Sequence, residues 1–293
     1  MPESNDIDWF KQTLRATFPY VVFIVVFILG TVAIMVWAAH AEEVGKPVLL
    51  PQAHSHNDYY RENPLEDALS LGFCSVEADI YLIDGALLVA HDRDKVSPEK
   101  TLSAMYLQPL FARFQRFGSV YPEAAPFQLL IDIKSEGEGT FTALQQELEA
   151  FETMLTRFDA EKTIPGAVTV VISGNRAIDA ILGAKPRLAG VDGRLSDLDG
   201  AYTAHQMPLI SDNWTKHFRW RGKGEIPKAE GEKLRAIVAQ THAKGMRLRF
   251  WATPQRDDVW STLHAAGVDV LNADDLQALH DVLHRAAAAN SGR

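Results

Sequence analysis

Short apolar runs alternate with amphipathic stretches along most of this chain. The apolar runs at 48–54, 73–83, 127–133, 168–172, 187–191, 208–210, 246–251 and 268–272 predict eight strands. A second apolar run, 86–91, follows Asp84-Gly85 and extends the second strand through a turn. The stretches 63–71, 97–117, 141–158, 175–182, 228–244, 257–266 and 274–288 place apolar residues at helical spacing. In 141–158, for example, Leu144, Leu148, Phe151 and Leu155 share a face, and Gly245 is a stop signal after 228–244. Strands separated by helices predict an α/β chain folded as a (β/α)8 TIM barrel over 48–285. Such barrels place their chemistry at the C-terminal ends of the strands, where this sequence carries His54, His56, His91, Asp132, Ser173, Ser211, Trp251 and Asn272.

One segment breaks the pattern. Residues 18–39 contain no charged side chain, are long enough to cross a bilayer as a helix, and have Tyr20 and Trp37 near their ends. Lys11 and Arg15 precede the span, and Glu42 and Glu43 follow it. The positive-inside rule therefore predicts a cytoplasmic tail at 1–17, a transmembrane or signal-anchor helix at 18–39, a linker at 40–47 and an exported barrel. Ala39-His40-Ala41 also reads as a cleavage site, and cutting after Ala41 would give a secreted protein. The formal net charge of −9 argues against a nucleic-acid binder with a basic face. The single cysteine, Cys74, sits in an apolar run and reads as a core residue. It permits neither an intramolecular disulfide nor a cysteine zinc site.

The chemistry concentrates between Ala53 and Asp92. Side chains alternate along a strand, so Glu77 and Asp79 point the same way from an otherwise apolar run. Two like charges on one apolar strand need a partner, and a hard divalent cation supplies one. Taken alone, Glu-x-Asp usually reads as the solvated face of an antiparallel sheet. Here it is joined by His54-Ser55-His56, Asp84-Gly85 and His91-Asp92, each at a strand end or turn.

These motifs resemble those of the glycerophosphodiester phosphodiesterase and PI-phospholipase C-like superfamily. That family reads His-Arg-Gly, Pro-Glu-Asn-Thr, Glu-x-Asp, Asp-Gly and His-Asp. This chain has His54-Ser55-His56, Glu62-Asn63-Pro64-Leu65, Glu77-Ala78-Asp79, Asp84-Gly85 and His91-Asp92. His54-Ser55-His56-Asn57-Asp58-Tyr59 is similar to the opening of a subfamily named for altered inheritance of mitochondria. The resemblance implies cleavage of a phosphodiester in glycerophosphodiesters or phospholipids. It implies one divalent cation, Mg or Ca, held by Glu77, Asp79 and Asp132, with the last standing where the family has Glu-x-Lys. It also implies acid-base work by His91 and by one of His54 and His56. Spacing to Glu62-Asn63 favours His54, whereas the His56-Asn57 pair is similar to phospholipase C members in which the Asn is a metal ligand. Lys134 shares a face with Asp132 and would offset phosphate charge. The family's Arg after the first His is Ser55 here. Arg249 is a candidate replacement, since Arg247, Arg249 and Trp251 share one face of the seventh strand.

Two other readings stay open. His-x-His at the end of the first strand is also found in metallohydrolases that bind metal through histidines, although strands four to eight end without His. A non-catalytic barrel binding lipid phosphates would tolerate the missing Arg. The basic, aromatic stretch 213–227 reads as a lid or membrane-facing loop, or as an ordinary surface loop.

Overall fold

The computed structural model of the protein describes residues 46–159 and 162–291. Among them, eight parallel strands close into a barrel: β1 (Leu50–Ser55), β2 (Phe73–Ile83), β3 (Phe127–Ile133), β4 (Val168–Gly174), β5 (Ala189–Gly193), β6 (Leu209–Asn213), β7 (Arg247–Trp251) and β8 (Val270–Ala273). β1 pairs with β2 on one side and with β8 on the other, which closes the ring. Helices α1 (Glu66–Ser70), α2 (Gln108–Phe117), α3 (Gly137–Glu149), α4 (Ile178–Gly183), α5 (Lys228–Ala243), α6 (Asp257–Ala266) and α7 (Leu276–Ser291) follow every strand except β5. A 3₁₀ turn at Leu195–Asp199 takes the place of the missing helix. The predicted barrel is therefore present with one helix replaced. The expected tail and span at 1–17 and 18–39, and most of the linker, lie outside the described residues. Among the described residues no helix is long and apolar enough to cross a membrane.

Alternation along the strands builds two interiors. Val76, Ala78 and Ile80 of β2, Leu129 and Ile131 of β3, and Leu248 and Phe250 of β7 face outward into the main core with the helices. Leu130, Val171, Leu209 and Val270 form a separate apolar cluster inside the barrel. Toward the C-terminal mouth the buried set turns polar, with His54, Ser75, Glu77, Asp79, Asp192, Ser211, Arg249 and Asn272. A buried polar group is tolerated only with a partner, so this end needs a hydrogen-bond network.

Three expectations change. The predicted helix 97–117 begins as helix only at a wide turn, Ser103–Leu107, before α2, because Thr101 bridges to Leu88. The predicted helix 141–158 is shifted to Gly137–Glu149. Its tail is extended instead, with Thr156 N–H donating to Val168 O (2.8 Å) and Phe158 N–H to Arg187 O (2.8 Å), so tertiary pairing overrides the local period. The stretch 213–227 does not present its aromatics to a membrane. Trp214, Phe218 and Trp220 are buried, Trp214 and Phe218 stack at 3.9 Å, and both meet Phe250 edge-on. Truncating a buried indole of this kind to Ala costs ~3–5 kcal/mol. These side chains anchor the loop to the barrel.

Candidate active site

The motif after β1 is set by a turn. Asn57 adopts a left-handed conformation (φ 47°), which Asn tolerates better than most residues. Asp58 then turns into the core. Its carboxylate accepts from Ser55 Oγ (2.6 Å), Leu65 N–H (2.6 Å) and Tyr106 OH (3.1 Å). Ser55, standing at the family's Arg position, is thus a buried brace. The turn leaves His56 and Asn57 at the barrel mouth.

Glu77 and Asp79 both point into the barrel from β2, and Asp79 lies directly across from Asp132 of β3 in the parallel register. Adjacent strands run ~4.8 Å apart, so this register brings the carboxylates together. One oxygen each of Glu77, Asp79 and Asp132 lies within 4.8 Å of the others. Gly174 makes room for this at the end of β4, since a Cβ there would collide with Asp132 Oδ1. Lys134 Nζ sits 3.1 Å from Asp79 Oδ2 and 3.2 Å from Asp132 Oδ1. Arg249 Nη2 donates to Glu77 Oε2 at 2.5 Å, and its Nε to Asn272 Oδ1 at 2.7 Å.

The charges follow from this packing. Burial raises the Glu77 carboxyl, but Arg249 and the hydrogen bond with His54 outweigh it and hold the acid well below the usual range. Burial and the Glu77 charge push Asp79 up, against Lys134, Tyr59 and His91. Asp132 is pushed to about 6 by burial, opposed by Lys134 and reinforced by Asp79 and Glu77. Burial works against the Lys134 charge, but Asp132 and Asp79 more than offset it and raise its pKa. Three carboxylates thus face two cationic side chains, and the buried Asp79 Oδ1 has no hydrogen-bond partner. An all-oxygen donor set with one negative charge uncompensated fits a hard divalent cation. Glu77, Asp79 and Asp132 are the residues that can hold it.

The three histidines separate by geometry. His54 is fully buried, with Nδ1 2.7 Å from Ser75 Oγ and Nε2 3.1 Å from Glu77 Oε2. Burial, then the Arg249 charge, lowers its pKa to about 4, so it is a neutral brace with both nitrogens engaged. His56 pairs Nδ1 with Asp274 Oδ1 at 2.7 Å, which leaves Nε2 as the free acceptor. The hydrogen bond from His56 is also the main reason Asp274 stays below the usual carboxylate range. His91 is carried by the arm Ala86–Val89, which folds back on β2 through Asp84-Gly85, both at positive φ. Its Nδ1 lies 2.9 Å from Asp79 Oδ2. The Tyr59 hydroxyl lies 2.8 Å from both Asp79 Oδ2 and Asn57 Oδ1 and can donate to either.

His56, Asn57, His91, the acids Glu77 and Asp132, Lys134, Arg249 and Trp251 line one pocket of about 430 Å³. The structure therefore brings the expected site residues to one mouth, with His54 behind it and Asp79 in its buried floor. Sequence reasoning missed Tyr59, Asp274 and Arg194. Tyr59 belongs to the opening motif and was within reach. Asp274 lies far along the chain, and Arg194 carries no motif.

The profile of the AIM6-like phosphodiesterase domain matches residues 42–122 and 117–188. The altered inheritance of mitochondria protein 6 of Eremothecium gossypii is 31% identical over 268 residues, covering 79% of this chain and 69% of that protein. The homolog from Arthroderma benhamiae is 28% identical over 267 residues, covering 80% and 85%. A glycerophosphodiester phosphodiesterase structure from Parabacteroides distasonis superposes with a TM-score of 0.51 at 14% identity, over 80% of this chain and 98% of that one, which speaks for the barrel fold. On these matches the chain belongs to the AIM6-like phosphodiesterase family.

Proposed function

We propose that this barrel is a divalent-cation-dependent phosphoric diester hydrolase acting on glycerophosphodiesters or phospholipids. The observation that carries the reading is the convergence of Glu77, Asp79 and Asp132 beneath two carboxylate-oriented imidazoles. Those three acids would hold Mg or Ca, with the Asn57 amide oxygen, tied to Asp79 through Tyr59, as a further donor. When bound, the ion supplies Lewis acidity to a non-bridging phosphate oxygen. Lys134 and Arg249 add positive charge to the same wall and position the phosphate. Trp251 gives the substrate an aromatic surface. His56 Nε2 takes the proton from the attacking water or substrate hydroxyl as the new P–O bond forms. His91 donates a proton to the oxygen of the P–O bond that breaks. Asp274 and Asp79 fix the tautomers that make these roles possible. In this reading residues 18–39 tether the barrel to a membrane, with the active site on the exported side.

A metal site built on His54 and His56 has no support in this geometry, because each imidazole is already paired with a different carboxylate. The test is turnover of bis-p-nitrophenyl phosphate by the full chain in non-ionic detergent. Hydrolysis abolished by EDTA, restored by Mg or Ca and absent in Glu77→Ala is the expected result. Phosphodiester binding without turnover would reduce the protein to a phosphate-binding barrel.

A further inference from the structure

The pocket extends past the catalytic groups. His56, His91 and the acids occupy the ends of β1, β2 and β3. A second lobe lies at the ends of β4 and β5, lined by Ser173, Gly174, Asn175 and Arg194. Its one charged group is Arg194, which belongs to no motif and takes no part in the mechanism above.

Arg194 is held in place from behind. Its Nη1 donates to Asp192 Oδ2 at 2.9 Å, to Asp192 O at 3.1 Å and to Gly193 O at 3.0 Å. Asp192 is itself fully buried and takes a second hydrogen bond from Ser173 Oγ at 2.7 Å. The backbone N–H of Arg194 donates to Asp197 Oδ2 at 2.7 Å. Nη2 is different. Among the described residues it reaches Ser173 Oγ alone, at 3.4 Å. A guanidinium carries five donors in a fixed plane, so one edge is fastened and the other is left toward the pocket. Arg176, whose Nη1 donates to Asp192 O and lies 3.8 Å from Asp197 Oδ2, packs behind it and is paired away from the pocket.

The spacing gives the lobe a use. Ser173 lies directly across from Asp132 in the register of β3 and β4. The free edge of Arg194 is therefore roughly one to two strand spacings, ~5–10 Å, from the acids that define the phosphate position. That is within reach of a small alcohol substituent on the phosphate. The geometry points to a second oxyanion site: Arg194 receives a carboxylate or a further phosphate on one substituent of the scissile diester. The inference rests on the phosphodiester reading and narrows its substrates to diesters with an additional negative charge.

Three matched ligands test it: glycerophosphoglycerol, glycerophosphoglycerate and glycerophosphoglycerol phosphate. They share the diester and differ in the terminal hydroxyl, carboxylate or phosphate. Dissociation constants are measured by calorimetry on the full chain in detergent with EDTA present, and kcat/KM with Mg or Ca. A charge-assisted contact predicts about 10-fold or greater preference for one or both anionic ligands over the neutral-ended one in wild type. Arg194→Gln collapses that ratio toward one, and Arg194→Lys retains part of it. A purely structural role for Arg194 would change all three ligands together and leave the ratio intact, which would overturn the inference. So would a wild-type ratio near one, a readout that needs no variant to fold. A carboxylate preference and a phosphate preference separate the two sources of the oxyanion. If none of the three is hydrolysed but the binding ratio holds, the hydrolase reading fails and the oxyanion site stands.

Discussion

Arg247 and Arg249 lie two residues apart on β7 and point into the same barrel, yet they do different work. Arg249 sits at the mouth and is paired with a carboxylate, Glu77, at 2.5 Å. Arg247 sits at the opposite end and reaches only neutral oxygens: Gln128 Oε1 at 3.2 Å, and Pro51 O and Asp269 O at 3.3 Å. Burial lowers the pKa of Arg247, with partial compensation from the Asp269 charge. The lower arginine ties strand starts together through their backbones. The upper one balances the charge of an acid in the candidate cation site. One side chain type on one face thus separates the stability end of a barrel from its chemical end, as the architecture leads one to expect.

The contrast breaks most completely at Asp79. Its carboxylate belongs to the acid cluster proposed to hold the cation, pairs with Lys134, orients His91 and accepts from Tyr59. Asp79→Asn should lower kcat/KM on bis-p-nitrophenyl phosphate by about 10⁴-fold, the upper end of what losing positioned acid-base catalysis gives, because it also weakens the cation site. A loss below 10-fold would remove Asp79 from the mechanism. His91→Ala should follow at about 10²–10⁴-fold. The His91 side chain is 45% exposed, so its melting temperature should stay near that of wild type. Rate loss matched by a fall in melting temperature would assign His91 a structural role instead.

The mouth was more legible than its supports. Period-2 alternation placed Glu77 with Asp79, and Arg249 with Trp251, without any tertiary information. The strand-end rule collected His56, His91 and Asp132 at one end. What the sequence could not show was which imidazole faces the pocket, because that depends on partners. His54 is consumed by Ser75 and Glu77, while His56 meets Asp274, which lies 218 residues away. Arg194 follows Gly193 in a turn-rich connection and looks like an ordinary surface arginine until Asp192 and Ser173 are seen behind it. The stretch 213–227 was ambiguous for a related reason. Aromatics among lysines and arginines mimic an interfacial segment, but the rings turn inward while Lys216, Arg219 and Lys223 stay exposed.

His54 sharpens the comparison by pH. Its folded pKa of about 4 lies below the 6.5 of a free imidazole, so folding favours the neutral ring. That contribution is complete above about pH 6.5 and is lost as the pH falls toward 4. It amounts to about 3 kcal/mol across the window. Urea unfolding of wild type should weaken over this range, and His54→Gln should flatten that part of the curve. An imidazole resonance of His54 titrating at 6.5 or above would refute the assignment.

The smallest effect is expected at the lower arginine, and it decides whether the two ends are separable. Arg247→Met keeps an unbranched apolar stem and removes the donors. Gln128 Oε1, Pro51 O and Asp269 O each lose a hydrogen bond, and Gln128 is buried. The bonds are long, and the two backbone oxygens are near the barrel rim, so the cost should be about 1–3 kcal/mol of unfolding free energy. Because Arg247 touches none of the acids, kcat/KM should remain within error of wild type. Urea denaturation and steady-state kinetics on the same preparation give both numbers. Lost turnover at unchanged stability would mean that the lower end communicates with the mouth through β7, and that the division drawn between Arg247 and Arg249 is false.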